Sequence, residues 1–217
     1  MAYARYEDRM REAIHALKYE GMHPAARRMG AMLGQAIAKL AGEAPQTMLV
    51  VPVPLHRSKH AQRGFNQARA LAGHALVALR RSHPEWRLEL APTTLMRIRA
   101  TDTQAGLSPH ARRMNVRGAF QVTDAETVRG RDVLLVDDIL TTGATARAAS
   151  LALRRAGAKT VWVATLARAT RMYPAGAGRQ DERVEEGNEE PGTQDAPVRH
   201  EVRQEFKASM HSLDDSF

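Results

Sequence analysis

The chain has 217 residues and no cysteine, and its formal net charge at pH 7 is +8. This length is enough for one α/β domain with a substantial hydrophobic core. The lack of cysteine excludes disulfide bonds, thiolate catalysis and cysteine-ligated metals, and no apolar run approaches the roughly 18 residues of a membrane-spanning helix. The N-terminal residues are charged and contain no signal-peptide core, so a cytoplasmic protein with no membrane partner is expected.

The first half of the chain predicts helices on either side of an apolar strand. Apolar residues recur at helical spacing over residues 6–19, with Gly21 as a stop, and a second helix is predicted over residues 24–40. Residues 48–53 predict a buried strand, and Asn66 is suited to cap the helix that follows it. Residues 88–91 predict a short further strand.

Two histidines in the segment after the first strand invite a metal-site interpretation. His56 and His60 are four residues apart, but no third ligand of suitable spacing lies nearby. Loop or surface histidines are therefore favoured, and no metal ligand is predicted. Phe65 is interpreted as a core residue rather than a stacking platform, because aromatic residues make up only 5% of the chain.

Residues 97–117 form a basic stretch with weak periodicity, which predicts a mobile loop or a short helix. The stretch contains one acid, Asp102, and five arginines: Arg97, Arg99, Arg112, Arg113 and Arg117. Such a segment fits either a polyphosphate ligand, over which it could close, or a nucleic-acid backbone.

The most informative segment is residues 133–145, VLLVDDILTTGAT. Four apolar residues predict a buried parallel strand that delivers Asp137 and Asp138 to its carboxyl end, where open α/β sheets bind ligands. The small residues that follow lead into a helix, whose N-terminus favours an anion. Carboxylates beside a phosphate cradle suit a phosphorylated ribose, although an ordinary strand–turn–helix with an acidic cap has the same outline.

The end of the chain divides into a last strand and an acidic tail. Residues 160–166 are rich in β-branched residues, and the alternation of strands and helices predicts an α/β fold with a mainly parallel sheet. Residues 173–217 contain 5 Lys and Arg against 11 Asp and Glu, a net charge of −6. Since the whole chain carries +8, residues 1–172 carry +14. We expect residues 1–172 to form the domain and residues 173–217 to form a disordered acidic tail.

The motifs together resemble a known family. Residues 133–145 resemble the 5-phosphoribosyl-1-pyrophosphate (PRPP) signature of type I phosphoribosyltransferases. Residues 18–21, 50–67 and 103–120 resemble the ComF family, competence-associated proteins with a phosphoribosyltransferase domain. The block Arg63-Gly64-Phe65-Asn66-Gln67 distinguishes this family from other phosphoribosyltransferases. The implied architecture is a type I phosphoribosyltransferase-like fold, with helices flanking the sheet and a small N-terminal hood before Ala44.

The resemblance assigns roles to individual residues. Asp137 and Asp138 would hold the ribose, directly or through a metal-bound water. The 5′-phosphate would be bound by the loop residues Thr141, Thr142, Gly143, Ala144 and Thr145. Residues 54–57 correspond to the loop that grips pyrophosphate, which makes Arg57, Lys59 and Arg63 the candidate anion contacts. Arg112 and Arg113 would meet the leaving group as members of the closing loop, and are assigned with the acidic pair as catalytic residues.

Two functions from different classes are compatible with these assignments. The first is a phosphoribosyltransferase that uses PRPP and Mg²⁺ and releases pyrophosphate, in nucleotide or nucleoside metabolism with a link to competence and DNA uptake. The second is a non-catalytic module that senses PRPP or a nucleoside 5′-monophosphate and binds single-stranded DNA or a competence-machinery protein. The acceptor is not readable from the sequence, and a homo-oligomer is compatible with it, although no interface pattern establishes one.

One feature of the ComF family has no counterpart in this sequence. Many members begin with a four-cysteine zinc-binding module, and this chain contains no cysteine. Zinc is therefore not carried over from the resemblance.

Overall fold

The computed structural model describes residues 1–6, 8–19, 23–101 and 108–169. The strands are β1 (Ala2–Arg5), β2 (Thr47–Pro52), β3 (Arg87–Leu90), β4 (Leu95–Arg97), β5 (Phe120–Val122), β6 (Asp132–Leu140) and β7 (Thr160–Arg168). The helices are α1 (Asp8–Tyr19), α2 (His23–Ala38), α3 (Arg57–Arg63), α4 (Gln67–Ser82), α5 (Pro109–Val116) and α6 (Ala144–Arg155). The predicted helix stop at Gly21, the acid Asp102 and the predicted tail at 173–217 lie outside the described residues.

Five of the strands form one sheet in the order β1-β7-β6-β2-β3, and every neighbouring pair in it is parallel. β4 and β5 form a separate antiparallel pair. The expected α/β fold with a mainly parallel central sheet is therefore confirmed. Parallel strands are joined by helical crossovers, which here cover both faces of the sheet.

The alternation of side chains along the central strands builds a hydrophobic core on each face. On one face, even-numbered residues of β6 such as Leu134 and Val136 pack with apolar residues of α1, α2 and α4. On the other, Val133 and Leu135 pack with apolar residues of α6 and with Phe120 of β5. These strands are apolar on both sides because both faces are covered.

The element boundaries differ from the predictions in three places. β1 pairs in parallel with the edge of β7, whereas the sequence predicted only helix near the N-terminus. α3 begins at the end of the predicted loop 54–57, with His56 as its N-cap, whereas the sequence predicted no helix there. α5 agrees with the short helix predicted as one alternative for the stretch 97–117, whereas the strands β4 and β5 on either side of it were not predicted. Elements this short give too few repeats for periodicity to identify them.

None of the helices in the described ranges is long and apolar enough to cross a membrane.

Candidate functional site

The site lies at the carboxyl edge of the sheet, between β2 and β6. The chain leaves β2 towards β3 on one side and leaves β6 towards β7 on the other. Because the connections that follow β2 and β6 lead to opposite sides, a crevice opens between them at the carboxyl edge. Open α/β sheets bind ligands in such a crevice. The pairing of β2 with β6 ends at Pro52 and Val136, with a last bond from the Val53 N–H to the Val136 carbonyl at 2.8 Å. Asp137 and Asp138 follow directly, beside the end of β2.

The two carboxylates continue β6 rather than ending it. The strand pairs with β7 as far as Leu140, so the sequence-based end at Val136 was too early. Asp138 is buried, with 6% of its surface exposed, and Asp137 is half-buried. The Asp138 N–H donates to Asp137 Oδ1 at 2.9 Å. Because side chains alternate along a strand, the two carboxylates belong to opposite faces of the sheet.

Each carboxylate therefore meets different elements. Asp138 follows Leu134 and Val136 on the face covered by α4, and Gln67 Nε2 donates to its Oδ2 at 3.4 Å. Asp137 lies on the other face, which carries the β4–β5 pair, and interacts electrostatically with Arg97 of β4. Gln67 was not among the predicted site residues.

The loop between β6 and α6 has the features of an anion site. Gly143 adopts the left-handed conformation with φ 73°, which favours glycine, and it is the N-cap of α6. The N-cap residue Gly143 makes no side-chain capping hydrogen bond to the start of α6. Thr141 is exposed, Thr142 and Thr145 are half-buried, and Ala144 is buried. Backbone donors at a helix N-terminus suit a phosphate.

Arg97 is held in a half-buried position beside this crevice. Its guanidinium lies over the ring of Phe120, 5.4 Å from the centroid, and it donates to Thr101 Oγ1. Burial lowers the pKa of Arg97; the charge of Asp137 acts in the opposite direction, and the charge of Arg99 adds to the lowering. The sequence identified Arg97 only as one cation of a basic stretch.

Unsatisfied polar atoms concentrate around these side chains. Among the described residues, four buried side-chain polar atoms have no hydrogen-bond partner: Gln67 Oε1, Arg97 Nε, Thr142 Oγ1 and Trp162 Nε1. The first belongs to the amide that contacts Asp138, the second to the cation that interacts with Asp137, and the third to the loop before α6. Buried polar groups are normally paired, so this concentration indicates a place for a polar ligand.

The remaining predicted cations lie on two short helices. Arg57, Lys59 and Arg63 lie on α3, which follows β2; Arg57 is exposed and the other two are half-buried. Arg112 and Arg113 lie on α5, half-buried and exposed respectively, and α5 packs against α6. The assignment of all these residues to a ligand stays a prediction.

Arg99 has a structural partner instead. Its Nη2 donates to the carbonyls of Asn115 at 2.9 Å and Arg117 at 2.7 Å, at the C-terminal end of α5. A cation at that position donates to carbonyls at the end of the helix and compensates the negative end of the helix dipole. Arg99 therefore stabilises the end of α5.

A cleft of about 610 Å³ lies on the face of the sheet that α4 covers, the face of Asp138. Its walls are mainly apolar and come from α1, α2, α3, α4 and β3. Phe65 and Asn66, which directly precede Gln67, line one end, and His60, Arg69 and His74 also line it. Phe65 packs against the core from a half-buried position, and His56 accepts a hydrogen bond from the Ser58 N–H at 3.4 Å as the cap of α3. In the described ranges no three or more His, Cys, Asp or Glu side chains cluster to hold a metal ion.

Comparison with known proteins identifies relatives of this chain. The family model described as phosphoribosyl transferase domain matches residues 70–199. The DNA utilization protein YhgH of Escherichia coli O157:H7 is 39% identical over 119 residues, 55% of this chain and 48% of that protein. YhgH of Salmonella typhi is 33% identical over 160 residues, 71% of this chain and 65% of the relative. Competence protein F of Haemophilus influenzae is 35% identical over 123 residues, 55% of this chain and 50% of that protein.

The chain spans about half the length of most of these curated relatives. Among solved structures, it is similar to the glutamine PRPP amidotransferase of B. subtilis complexed with ADP and GMP. That match has 25% identity and a TM-score of 0.39, and covers 65% of this chain and 26% of the other.

Proposed function

The chain is a ComF-like member of the phosphoribosyl transferase domain family, and we propose that it binds PRPP and transfers the phosphoribosyl group to an acceptor. In this reaction the bond between C1 of the ribose and the pyrophosphate oxygen breaks, and its electron pair leaves with pyrophosphate. The acceptor nucleophile forms the new bond to C1 and loses its proton to solvent. The family membership supports the general type of reaction, and the proposal adds that this chain catalyses it.

The observation that carries the proposal is the direct succession of two carboxylates and a helix N-terminus that begins with a left-handed glycine at the β2–β6 crevice. Asp137 and Asp138 provide acceptors for the ribose hydroxyls. Four residues on, Thr142 and the N–H groups of α6 provide donors for the 5′-phosphate. A ligand that carries both groups a few ångströms apart is a ribose 5-phosphate.

The leaving group requires positive charge more than acid–base catalysis. An oxocarbenium-like transition state is favoured by neutralisation of pyrophosphate and exclusion of water. Arg57, Lys59 and Arg63 on α3 would contact the pyrophosphate from the β2 side, and Arg112 and Arg113 on α5 would approach from the α6 side. These five cations are proposed as the leaving-group contacts.

The chemistry of the carboxylate pair fits Mg²⁺. Asp137 and Asp138 offer only oxygen donors, and a single pair of carboxylates leaves room for the waters and phosphate oxygens that Mg²⁺ retains. The cation would supply charge neutralisation of the pyrophosphate oxygens. The protein's own contribution is to hold the two carboxylates on opposite sides of β6.

The apolar cleft is the proposed site of the acceptor. It lies on the face of Asp138, and its lining residue Asn66 directly precedes Gln67, which contacts that carboxylate. Leu17 and Ala26 in its wall come from the N-terminal segment before Ala44, which was expected to form the hood that selects the acceptor. An apolar wall with Arg69 and histidines suits a planar base with a polar edge.

Calorimetry with PRPP in the presence and absence of Mg²⁺ tests the binding step. We expect saturable binding that strengthens with Mg²⁺, followed by pyrophosphate release in the presence of one of a series of nucleobases. A chain that binds neither PRPP nor nucleoside monophosphates would contradict the proposed function.

A second function is favoured by the names of the relatives and by charge. Relatives are named DNA utilization protein and Competence protein F, and residues 1–172 carry a net charge of +14. In this alternative the same site senses PRPP or a nucleotide without turnover, and the basic surface binds single-stranded DNA or a competence partner. Salt-dependent affinity for a single-stranded oligonucleotide, without pyrophosphate release from any base, would favour it.

A further inference from the structure

We propose that Gln67 is a positioning residue that fixes the orientation of the Asp138 carboxylate for the ribose hydroxyls; this inference rests on the proposed function. Gln67 is the first residue of α4, and 5% of its surface is exposed. Its Nε2 lies 3.4 Å from Asp138 Oδ2, although the two residues are 71 positions apart. Neither the family match nor the resemblance assigns a role to this contact.

The alternation of side chains along β6 explains why Gln67 contacts only one of the two carboxylates. Asp138 lies on the same face as Leu134 and Val136, and α4 covers that face. Asp137 lies on the opposite face, beside Arg97. The two adjacent carboxylates therefore have different environments: Asp138 accepts a hydrogen bond from a neutral amide on one face, and Asp137 interacts electrostatically with a cation on the other.

The backbone of Gln67 is fixed by its neighbour Asn66. Asn66 Oδ1 accepts from the N–H groups of Ala68 at 2.9 Å and Arg69 at 3.3 Å, and Nδ2 donates to the Val53 carbonyl at 3.1 Å. Val53 in turn donates its N–H to the Val136 carbonyl of β6 at 2.8 Å. Asn66 therefore ties the start of α4 to the strand edge from which Asp138 emerges, and the Gln67 amide keeps a constant position relative to Asp138.

The chemistry of the amide matches an orienting role. Nε2 must face the carboxylate, since the flipped amide would set Oε1 against a carboxylate oxygen. A donor on Oδ2 restrains rotation of the carboxylate about its χ2 bond. Gln67 Oε1 is buried and has no hydrogen-bond partner among the described residues, which costs folding free energy. Stability alone therefore does not explain a glutamine at this position.

The test compares ligands with and without ribose hydroxyls. Gln67→Met keeps the length and helix propensity of the side chain and removes the donor. We expect this variant to bind adenosine 5′-monophosphate about 10-fold more weakly than the unmodified chain, the size of one lost hydrogen bond to a charged group. Its affinity for 2′,3′-dideoxyadenosine 5′-monophosphate should be unchanged, since that ligand has no ribose hydroxyl to donate a hydrogen bond to Asp138.

A double-variant cycle with Asp138→Asn separates positioning from general packing. If Gln67 acts through Asp138, Gln67→Met should add no further loss of adenosine 5′-monophosphate affinity in the Asp138→Asn background. Gln35→Met, at an exposed position on α2, is the matched control and should leave both affinities unchanged.

The outcomes that overturn this inference are distinct from those that overturn the proposed function. Equal weakening of both ligands by Gln67→Met, or a full additional loss in the Asp138→Asn background, would show a structural role and overturn the inference. Retention of the hydroxyl preference in Gln67→Met, with its loss in Asp138→Asn, would overturn this inference alone. A preference that survives Asp138→Asn would contradict the assignment of that carboxylate in the proposed function.

A second variant with a shorter amide keeps the inference testable if Gln67→Met does not fold. Gln67→Asn withdraws the donor by one methylene and should show the same selective loss for the ligand with hydroxyls. If neither variant folds, Gln67 serves folding, and the inference is overturned.

Discussion

Asp137 and Asp138 are neighbours in sequence but have different environments. Asp138 is buried against the amide of Gln67, and Asp137 is half-buried beside Arg97. The proposed ribose site therefore depends on both faces of β6 at once. A single change on either face should alter ligand binding without disturbing the core on the other face.

Replacement of both carboxylates tests the ribose assignment. Asp137→Asn with Asp138→Asn should weaken PRPP binding by about 2–5 kcal/mol, because two charge-assisted hydrogen bonds are lost. Calorimetry measures the affinity, and thermal unfolding checks that the variant is folded. Asp124→Asn, at an exposed turn away from the sheet edge, is the control. Unchanged affinity in the double variant would remove the basis of the functional assignment.

Substitution of Gly143 tests whether the loop before α6 binds the 5′-phosphate. Gly143→Ala forces a side chain into a left-handed conformation at φ 73°, which should cost about 1–2 kcal/mol of unfolding free energy and displace the first N–H groups of α6. Gly130→Ala is a matched control, because Gly130 has φ 68° and precedes the opposite end of β6. Denaturant unfolding should show similar losses for the two variants, while only Gly143→Ala weakens PRPP binding. Equal affinities would argue against a phosphate at this loop.

At the scale of elements, short segments carry most of the cations predicted to contact the ligand. α3 and α5 have 7 and 8 residues, and β4 and β5 have 3 each. α5 is held at its N-terminus by Ser108, whose Oγ accepts from the Ala111 N–H at 3.2 Å, and at its C-terminus by Arg99. The basic stretch therefore presents Arg112 and Arg113 from a capped helix.

Substitution of Arg112 and Arg113 distinguishes an enzyme from a binding module. If they meet pyrophosphate, Arg112→Ala and Arg113→Ala should lower the rate of pyrophosphate release while nucleoside monophosphate binding stays nearly unchanged, since a monophosphate lacks the leaving group. If the two arginines follow a nucleic-acid backbone, the same substitutions should weaken DNA binding at all sequences. They should also flatten its salt dependence by about one unit of slope per lost phosphate contact.

Arg81→Ala is the matched control, because Arg81 is exposed in the last turn of α4, at the opposite end of that helix from Gln67. DNA affinity that depends on Arg112 and Arg113, with no pyrophosphate release from any base, would reverse our preference for the enzyme.

The cleft beside α4 gives a test of the acceptor site. A Cβ at Gly73 would meet no atom within 4 Å, so Gly73→Leu extends into the cleft without a backbone clash. We expect it to abolish pyrophosphate release in the presence of the acceptor and to leave PRPP affinity unchanged. Gly73→Ala should keep activity and gain up to about 1 kcal/mol of stability from helix propensity. Full activity of Gly73→Leu would exclude the cleft as the acceptor site.

At the scale of the whole molecule, the charge distribution separates the two ends of the chain. Residues 1–172 carry a net charge of +14 and residues 173–217 carry −6. A basic domain attracts polyphosphates and nucleic acids over a distance of about one Debye length. The division at residue 172 stays a prediction.

Limited proteolysis tests that division. Residues 1–172 should persist as a core, and residues 173–217 should be removed, because the low apolar content of the tail cannot offset the entropy of ordering it. Mass spectrometry of the time course identifies the fragments. Cleavage within residues 97–117 is compatible with the prediction, whereas loss of residues 133–156 as fast as the tail would contradict it.

The sequence by itself determined the parts of the site that are contiguous. Residues 133–145 form one strand–loop–helix unit, so the apolar run, the two carboxylates and the loop before α6 are all visible in a single window. Asn66 was likewise recognisable as a cap, because a cap bonds to the next two or three residues of its own helix. The parallel sheet followed from the alternation of strands and helices, and the family from the motifs these elements carry.

Only the tertiary structure decided which distant residues accompany each carboxylate. Gln67 and Arg97 reach the site because β6 turns successive side chains to opposite faces and because different elements cover those faces. β1 joins the sheet through pairing with β7, which lies far from it in sequence, and the cleft is lined by five separate elements. Such contacts depend on packing between segments far apart in sequence, and no local periodicity or cap records them.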